Sequence, residues 1–536
     1  MPQFLVRFIN DYSYFRLPDL ESCARVNNIP MQHSRKLRED EVFYFIELPS
    51  EEDAKKLVSR SVLIQGIYEV WGVASTPEEC VQQCGEYCEK NSEHVGKILR
   101  EDVSYRIVVE NYGCRWKKKE KVDLLKRFTT IPWKGKVDLL NPQQEFYIFQ
   151  DYDSPSIPGS HLHQDKKSSS NLLTSSSTNC ESSSDGSIQN DNDLSKHKET
   201  LPPNDATNTN HGGNNSTSTN SSAQGPPTKK KKSSSSSPTS SNSTKDTSSQ
   251  NPPTHQAVLK TIYFTRKIGE GGRHLITEYD LKKRKYIGTT SMNATLSFLS
   301  ANMALASSKT LIYDPFVGTG SIIVSVAHYG SHVIGSDLDI RVVRGKNFRQ
   351  KGNVESDANI QTNFDQYGLT RKAGLELLRV DMSQTQVWRS MCHKNHKIAR
   401  PFLDAIVCDP PYGNREGPRK IGRHKPLDPN STALERENYF PGTITYDVKE
   451  MYQDLLEFAA KSVVKHGRMV AWLFNFNEDY SEEVIPQHRC FKLLYNSLDP
   501  LNSKYHRRLL TYEKIDDYHE LPDITSSSSI SSEQRK

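Results

Sequence analysis

The sequence predicts an α/β protein, with a doubly wound parallel sheet in the carboxyl half and a smaller α+β unit in the amino half. Three observations carry that expectation. Strand-like runs in the second half end at or beside an aspartate and alternate with helical patterns. The first half mixes short strands with amphipathic helices, and a polar segment free of aromatic residues separates the two.

In the amino half, "QFLVRFIN", "EVFYFIEL" and "SYRIVVEN" read as strands, and "EEDAKKLVSR" and "KKKEKVDLLKRF" as helices. Between Arg115 and Lys136 stand nine basic and two acidic residues, with Trp116, Phe128 and Trp133 interleaved. Cations neutralise phosphates and rings stack on bases, so this stretch, led by Arg115, Lys117, Lys118, Lys119 and Lys121, is a candidate RNA surface. An ordinary amphipathic helix, lysines to water and rings to the core, explains the pattern equally well. Cys80, Cys84 and Cys88 recur every fourth residue but lack a second chelating pair, so they read as a small-residue helical face rather than a metal site.

From Asp153 to Ile262 the chain has no Phe, Tyr or Trp, although it holds 19, 24 and 5 of them elsewhere. Such a segment buries too little apolar surface to offset its ordering entropy. Residues 153–255 are therefore expected to be a disordered linker between an amino-terminal part, 1–152, and a carboxyl part, 256–520. The lysine run at 229–232 reads as a localisation or RNA-touching tag or, more simply, as solvated charge. Residues 521–536 read as a frayed tail.

The carboxyl half offers strands at "KTLIYD", "HVIGSD", "LELLRVD", "FLDAIVCD" and "RMVAWLFN". A helix in "DVKEMYQDLLEFAAKSVVKHG" is expected to stop at Gly467, and "FKLLYNSL" and "RRLLTYEK" read as a closing antiparallel pair. The first strand leads into "DPFVGTGS", where Gly318 and Gly320 let backbone approach a ligand at a helix start. Position 323 is Ile, not the third glycine of a dinucleotide fingerprint, and no Walker loop is present. Asp337, ending the second strand, suits two ribose hydroxyls, and Asp381, ending the third, suits an adenine amine. Ribose and adenine without pyrophosphate outline S-adenosylmethionine. Helix capping is the plainer use of each acid taken alone.

After the fourth strand comes "CDPPYGNREG". Asp409 supplies a carboxylate acceptor, Pro410 a rigidly held carbonyl and Tyr412 a ring face, a set that fits a planar group bearing an exocyclic NH2. The alternative is a turn with an inward tyrosine. The basic loop that follows, with Arg415, Arg419 and Lys420, implies a polyanionic substrate whose target base is extruded to reach the pocket.

These residues resemble a known family. "GTTSMNATLSFLSANMA", "YDPFVGTGS", "GSDLD", "RVD" and "CDPPYGNREGPRKIGRH" look like a Rossmann-like S-adenosylmethionine-dependent amino-methyltransferase. "SYRIVVENYGCRWKKKEKVDLLKRF" and "GKVDLLNPQQEFYIFQDY" resemble a THUMP RNA-binding domain. Together they resemble the tRNA guanine-10 N2-methyltransferases. The resemblance implies that Asp314, Phe316, Gly318, Gly320, Asp337 and Asp381 line the cofactor site and that Asp409, Pro410 and Tyr412 hold the guanine amine. It also implies tRNA as substrate and a small zinc-binding activator subunit on an apolar edge of the sheet. A DNA adenine N6-methyltransferase would use the same pocket, and a scaffold that lost catalysis would keep only the basic surface.

The net charge of +5 in 536 residues decides nothing by itself. Scattered cysteines, an amino terminus without a signal-peptide core and the lack of a long apolar run lead to the expectation of a soluble, cytoplasmic protein without a membrane anchor.

Overall fold

The computed structural model describes residues 1–153, 258–345, 358–384, 401–412, 417–422, 442–478 and 480–519. The linker beyond Asp153, the tail from 521 and Arg415 lie outside the described residues.

Seven strands form the first sheet: β1 (Gln3–Phe8), β2 (Gln32–His33), β3 (Phe43–Glu47), β4 (Ile64–Ala74), β5 (Tyr105–Tyr112), β6 (Gln144–Asp153) and β7 (Val258–Glu270). Their order is β2-β3-β1-β4-β7-β6-β5, antiparallel throughout except for β5 beside β6. One face is covered by helices. α1 (Arg16–Val26) and α2 (Glu51–Arg60) bury Leu20, Leu57 and Val58 against Phe4, Val6 and Ile46. α3 (Pro77–Lys90), α4 (Ser92–Ile98) and α5 (Lys118–Leu125) pack over Trp71, Phe146 and Phe264, with Cys80, Cys84 and Cys88 on the buried side of α3. Ser50 and Thr76 accept the amide protons of Asp53 and Glu79, which fixes where α2 and α3 begin.

The opposite face curls on itself. In sheet order β1 and β5 lie four strands apart, about 19 Å in a flat sheet, yet Arg7 of β1 pairs with Glu110 of β5 at 2.5 Å. The rings of Phe43 on β3 and Tyr112 on β5 come within 4.9 Å. Strong twist closes the face over Leu5, Tyr68, Tyr147, Phe149 and Tyr263.

Strand β7 corrects the expected division of the chain. The sequence reading starts the second part at residue 256, but β7 pairs with β4 and β6 and belongs to the first sheet. Its residues Ile262 and Phe264 enter the helix-covered core while Tyr263 joins the curled face.

The second part begins with α6 (His274–Glu278) and α7 (Ala294–Met303). Then come β8 (Leu311–Asp314), α8 (Ser321–His328), β9 (His332–Asp337), α9 (Ile340–Val343), α10 (Ile360–Gln366), β10 (Leu375–Arg379) and β11 (Leu403–Cys408). A small hairpin of β12 (Arg419–Ile421) and β13 (Thr443–Thr445) precedes α11 (Val448–Ser462), β14 (Val463–Phe476), β15 (Phe491–Pro500) and β16 (Tyr505–Lys514). The sheet order is β10-β9-β8-β11-β14-β16-β15. The first five strands are parallel and β16 runs antiparallel to both its neighbours. This is the Rossmann-like sheet the sequence predicts, closing antiparallel pair included. The expected stop at Gly467 is wrong: α11 ends at Ser462 and Val463 opens β14 directly. Gly467 lies inside that strand, where a side chain would meet the Asp404 carbonyl oxygen at 2.5 Å.

The two sheets are joined through buried polar and aromatic contacts. Asp19 of α1 accepts from Asn302 of α7 at 2.7 Å, and Arg60 donates to the Ala306 carbonyl at 2.7 Å while lying 3.6 Å from the Tyr329 ring centre. Trp472 of β14 is fully buried, donates to Ser300 at 3.1 Å and packs on Phe15. Trp472→Ala is expected to cost about 3–5 kcal/mol, because the ring's partners come from both parts and cannot all collapse into the void. The check is the fall in the thermal or urea midpoint; a midpoint within error of wild type would contradict it.

Candidate active site and basic surfaces

The candidate pocket forms at the carboxyl ends of β8, β9, β10 and β11, the crevice where open α/β sheets take ligands. β8 ends on buried Asp314, whose Oδ1 accepts the Phe316 amide at 3.0 Å. The turn then passes through Gly318 at φ 50° and Gly320 at φ 79°, both left-handed, before α8 begins. Side chains there would be strained, and a Cβ on Gly320 would also press on Ile360 at 3.0 Å. Asp337 holds the turn from the next strand: one oxygen accepts from Gly318 N at 3.1 Å and the other from Asp339 N at 2.9 Å.

Asp381 is more heavily used than the sequence implies. Its Oδ1 accepts from the amide and hydroxyl of Ser383, at 2.9 and 2.8 Å, and its Oδ2 accepts from Ile421 N at 2.5 Å. The carboxylate thus pins the β12–β13 hairpin over the third strand end, and any adenine contact shares it.

Asp409 follows β11 and is only partly exposed, with Oδ1 shut away from solvent and without a hydrogen-bond partner among the described residues. The Tyr412 hydroxyl is in the same condition. Pro410 is buried between them in sequence, and the Tyr412 ring lies on Phe474 of β14, 5.5 Å between centres and 23° between planes. A buried carboxylate oxygen without a donor is costly unless a ligand supplies one.

The pocket's acids are pushed toward their neutral forms. Burial pushes Asp409 up to about 7, with Arg507 opposing the rise. Asp314 is raised well above the carboxylate range, first by burial and then by the charges of Asp409 and Asp337. Arg507 is itself held by Asp499 at 2.7 Å and lies over the Trp472 ring. Tyr12, from the first part, faces Asp499, Arg507 and Asn293, and its φ of 55° is unusual for a tyrosine.

Sequence reasoning missed Tyr12, Phe474 and Arg507. The alternation Trp472, Phe474, Phe476 at the end of the fifth strand was the available signal for Phe474. Nothing local marks the other two, because their places depend on β16 and on the packing of the two parts.

The basic residues divide. Arg115, Lys117, Lys118 and Lys119 are exposed, and none of the four makes an ion pair among the described residues. Lys121 is half-buried and donates to the Val109 carbonyl at 2.9 Å. The rings expected to stack on bases do not face out: Phe128 is buried on Phe264, Trp133 stacks on Tyr105 at 4.4 Å, and Trp116 packs toward Tyr152. Of the loop cations, Arg419 bonds Thr443 within the hairpin and Lys420 is paired with Glu450 at 2.6 Å.

Family models match both halves of the chain. The family described as Tmrp11 THUMP N-terminal domain matches residues 2–170, and the RMKL-like, methyltransferase domain matches residues 282–424. The protein named tRNA (guanine(10)-N(2))-methyltransferase TRMT11 in Xenopus laevis is 30% identical over 526 residues, covering 97% of this chain and 86% of its own length. Its namesake in Dictyostelium discoideum is 30% identical over 533 residues, covering 97% and 83%. Among solved structures, TrmN from Thermus thermophilus aligns with 96% of this chain and 100% of its own, at 11% identity and a TM-score of 0.37.

Proposed function

The chain belongs to the tRNA (guanine(10)-N(2))-methyltransferase family, and from that premise we propose which residues do its work. It transfers a methyl group from S-adenosylmethionine to the exocyclic N2 amine of guanosine 10 in tRNA. The observation that carries the site assignment is the buried Oδ1 of Asp409, which has no hydrogen-bond partner among the described residues, three positions before the Tyr412 ring.

The donor set fits the cofactor. A glycine turn that a Cβ would fill and an acid, Asp314, on which the charges of Asp409 and Asp337 bear suit a ligand with hydroxyls and a positive charge. Asp314, Phe316, Gly318, Gly320, Asp337 and Asp381 would hold it. Bound there, the cofactor supplies an electrophilic methyl on a cationic sulfur. Asp409 and the Pro410 carbonyl each accept one N2 proton, which turns the nitrogen lone pair away from both acceptors, and the base rests on Tyr412. Phe474 backs Tyr412, so the base takes the ring's other face. With a pKa of about 7, Asp409 is also suited to accept a proton from the amine at neutral pH.

Labelled methyl transfer to unmodified tRNA, followed by nucleoside analysis, tests this reading. N2-methylguanosine is expected; label in DNA adenine, or none in tRNA, overturns it.

Residues 1–152 together with β7 are read as the THUMP-type tRNA-binding region, and the part after Glu270 as the methyltransferase domain. Replacing Lys117, Lys118 and Lys119 with alanine should weaken tRNA binding and lower the slope of log affinity against log salt by roughly one for each lost phosphate contact. An unchanged slope would remove α5 from the RNA surface. The zinc-binding activator subunit is assigned to the outer edge of the sheet, where β10 carries Leu375, Leu377 and Leu378 and has no outer neighbour among the described residues. Activity measured with and without that subunit tests the pairing. No helix among the described residues is long and apolar enough to cross a membrane, and the free thiols at Cys23, Cys80, Cys84, Cys88, Cys114, Cys408 and Cys490 support a reducing compartment such as the cytoplasm.

A further inference from the structure

Tyr412 is the inner end of a longer row of rings. β11 stops at Cys408, opposite Ala471, but β14 runs on to Phe476, so its last residues stand beside the Asp-Pro-Pro-Tyr turn without β11 between them. Trp472, Phe474 and Phe476 alternate along this overhang and therefore share one face. On β16, Arg507 is the register partner of Phe474, and Tyr505 that of Phe476.

The rings are in contact from one end to the other. Tyr412 lies on Phe474 at 5.5 Å, Phe474 meets Tyr505 at 5.6 Å, and Phe476 meets Tyr505 at 5.3 Å. Exposure rises along the row: Trp472 is sealed in, Phe474 and Tyr505 are half-buried, and Phe476 is 46% exposed. A single exposed apolar side chain is ordinary. An exposed ring that continues, contact by contact, from the platform holding the substrate base is a different arrangement. Lys504 is exposed next to Tyr505 and makes no ion pair among the described residues, which places a cation where the phosphate of a stacked nucleotide would run.

Extruding a base also leaves its neighbour without a stacking partner, a loss that is part of the cost of extrusion. A ring at the pocket mouth restores that stack, and it accepts any base because every base has a π face. Resting on the guanosine reading above, we propose that Phe476 and Tyr505 form a second stacking site, which takes the base of a nucleotide flanking the methylated guanosine.

The test uses the full chain, tRNA carrying 2-aminopurine on either side of the target guanosine, and the variant Phe476→Ala/Tyr505→Ala. Wild type should change the fluorescence of the probe at one flank, and the variant should lose that change. KM for tRNA should rise about ten-fold, the size expected for one lost base–ring stack. Because removal of two rings can disturb the strand end, the affinity for S-adenosylmethionine reports whether the variant is folded. Phe476→Leu, which keeps apolar bulk without a π face, should show a weaker form of the same loss. Equal fluorescence and equal KM in all three proteins would overturn the second site while leaving the active site in place. Failure of wild type to methylate tRNA would instead sink the guanosine reading, and this inference with it.

Discussion

Asp409→Ala abolishes methyl transfer, a loss of roughly 10²–10⁴-fold, while tRNA binding stays near that of wild type. The two effects separate because Asp409 lies in the pocket, whereas Lys117, Lys118 and Lys119, exposed and without an ion pair among the described residues, stand at the start of α5. The pH profile gives the same group a second signature. Asp409 is held near 7 by burial against the pull of Arg507, so below that pH it is protonated and presents an O–H in place of an acceptor. In the wild type kcat/KM should therefore climb about ten-fold per pH unit up to roughly 7 and then level off. Arg507→Gln removes the opposing cation, raises the Asp409 pKa further and moves the acid limb to higher pH. A profile flat from pH 5 to 8, or an acid limb that stays in place in Arg507→Gln, would show that Asp409 is not the group being titrated.

The sheet was readable because a parallel strand ending in an acid leaves a local pattern, and the run Asp409 to Tyr412 restricts its own backbone. What escaped depends on longer-range facts. β7 lies beyond the polar linker and carries apolar residues on both faces, so nothing in "LKTIYFTRKIGE" states which sheet will claim it. Around α5 the sequence shows cations and rings together, but the direction each takes is decided by whether Phe264 and Tyr105 are there to receive the rings. The same limit applies to Asp381. Its position at a strand end is legible, but the donation from Ile421, 40 residues on, is not. The hairpin held over the third strand's end is therefore a finding of the structure alone.

Raising the pH from 6 to 8 should tighten the grip on S-adenosylmethionine more than on S-adenosylhomocysteine. Burial disfavours the ionisation of Asp314 and Asp409, and the charges of Asp409 and Asp337 oppose that of Asp314 further. A cation in the pocket relieves this, and the first ligand has a sulfonium charge that the second lacks. Asp409 sits at about 7 in the free protein; a cation nearby lowers that value, so binding below pH 7 must release a proton. By linkage the affinity then rises with pH, by at most about ten-fold per unit for one proton, and flattens above the free-state pKa. Both ligands have the same amino-acid group, so titration of its ammonium cancels in the comparison, and the difference between their pH slopes reports the pocket's own carboxylates. Calorimetry at pH 6.5 in buffers of different ionisation enthalpy measures the released proton directly. Equal proton release for the two ligands would mean that the acids hold the cofactor through its hydroxyls alone. In Asp409→Asn the difference should shrink toward the part contributed by Asp314, which separates the role of the pocket acid from that of the glycine-turn acid in one measurement.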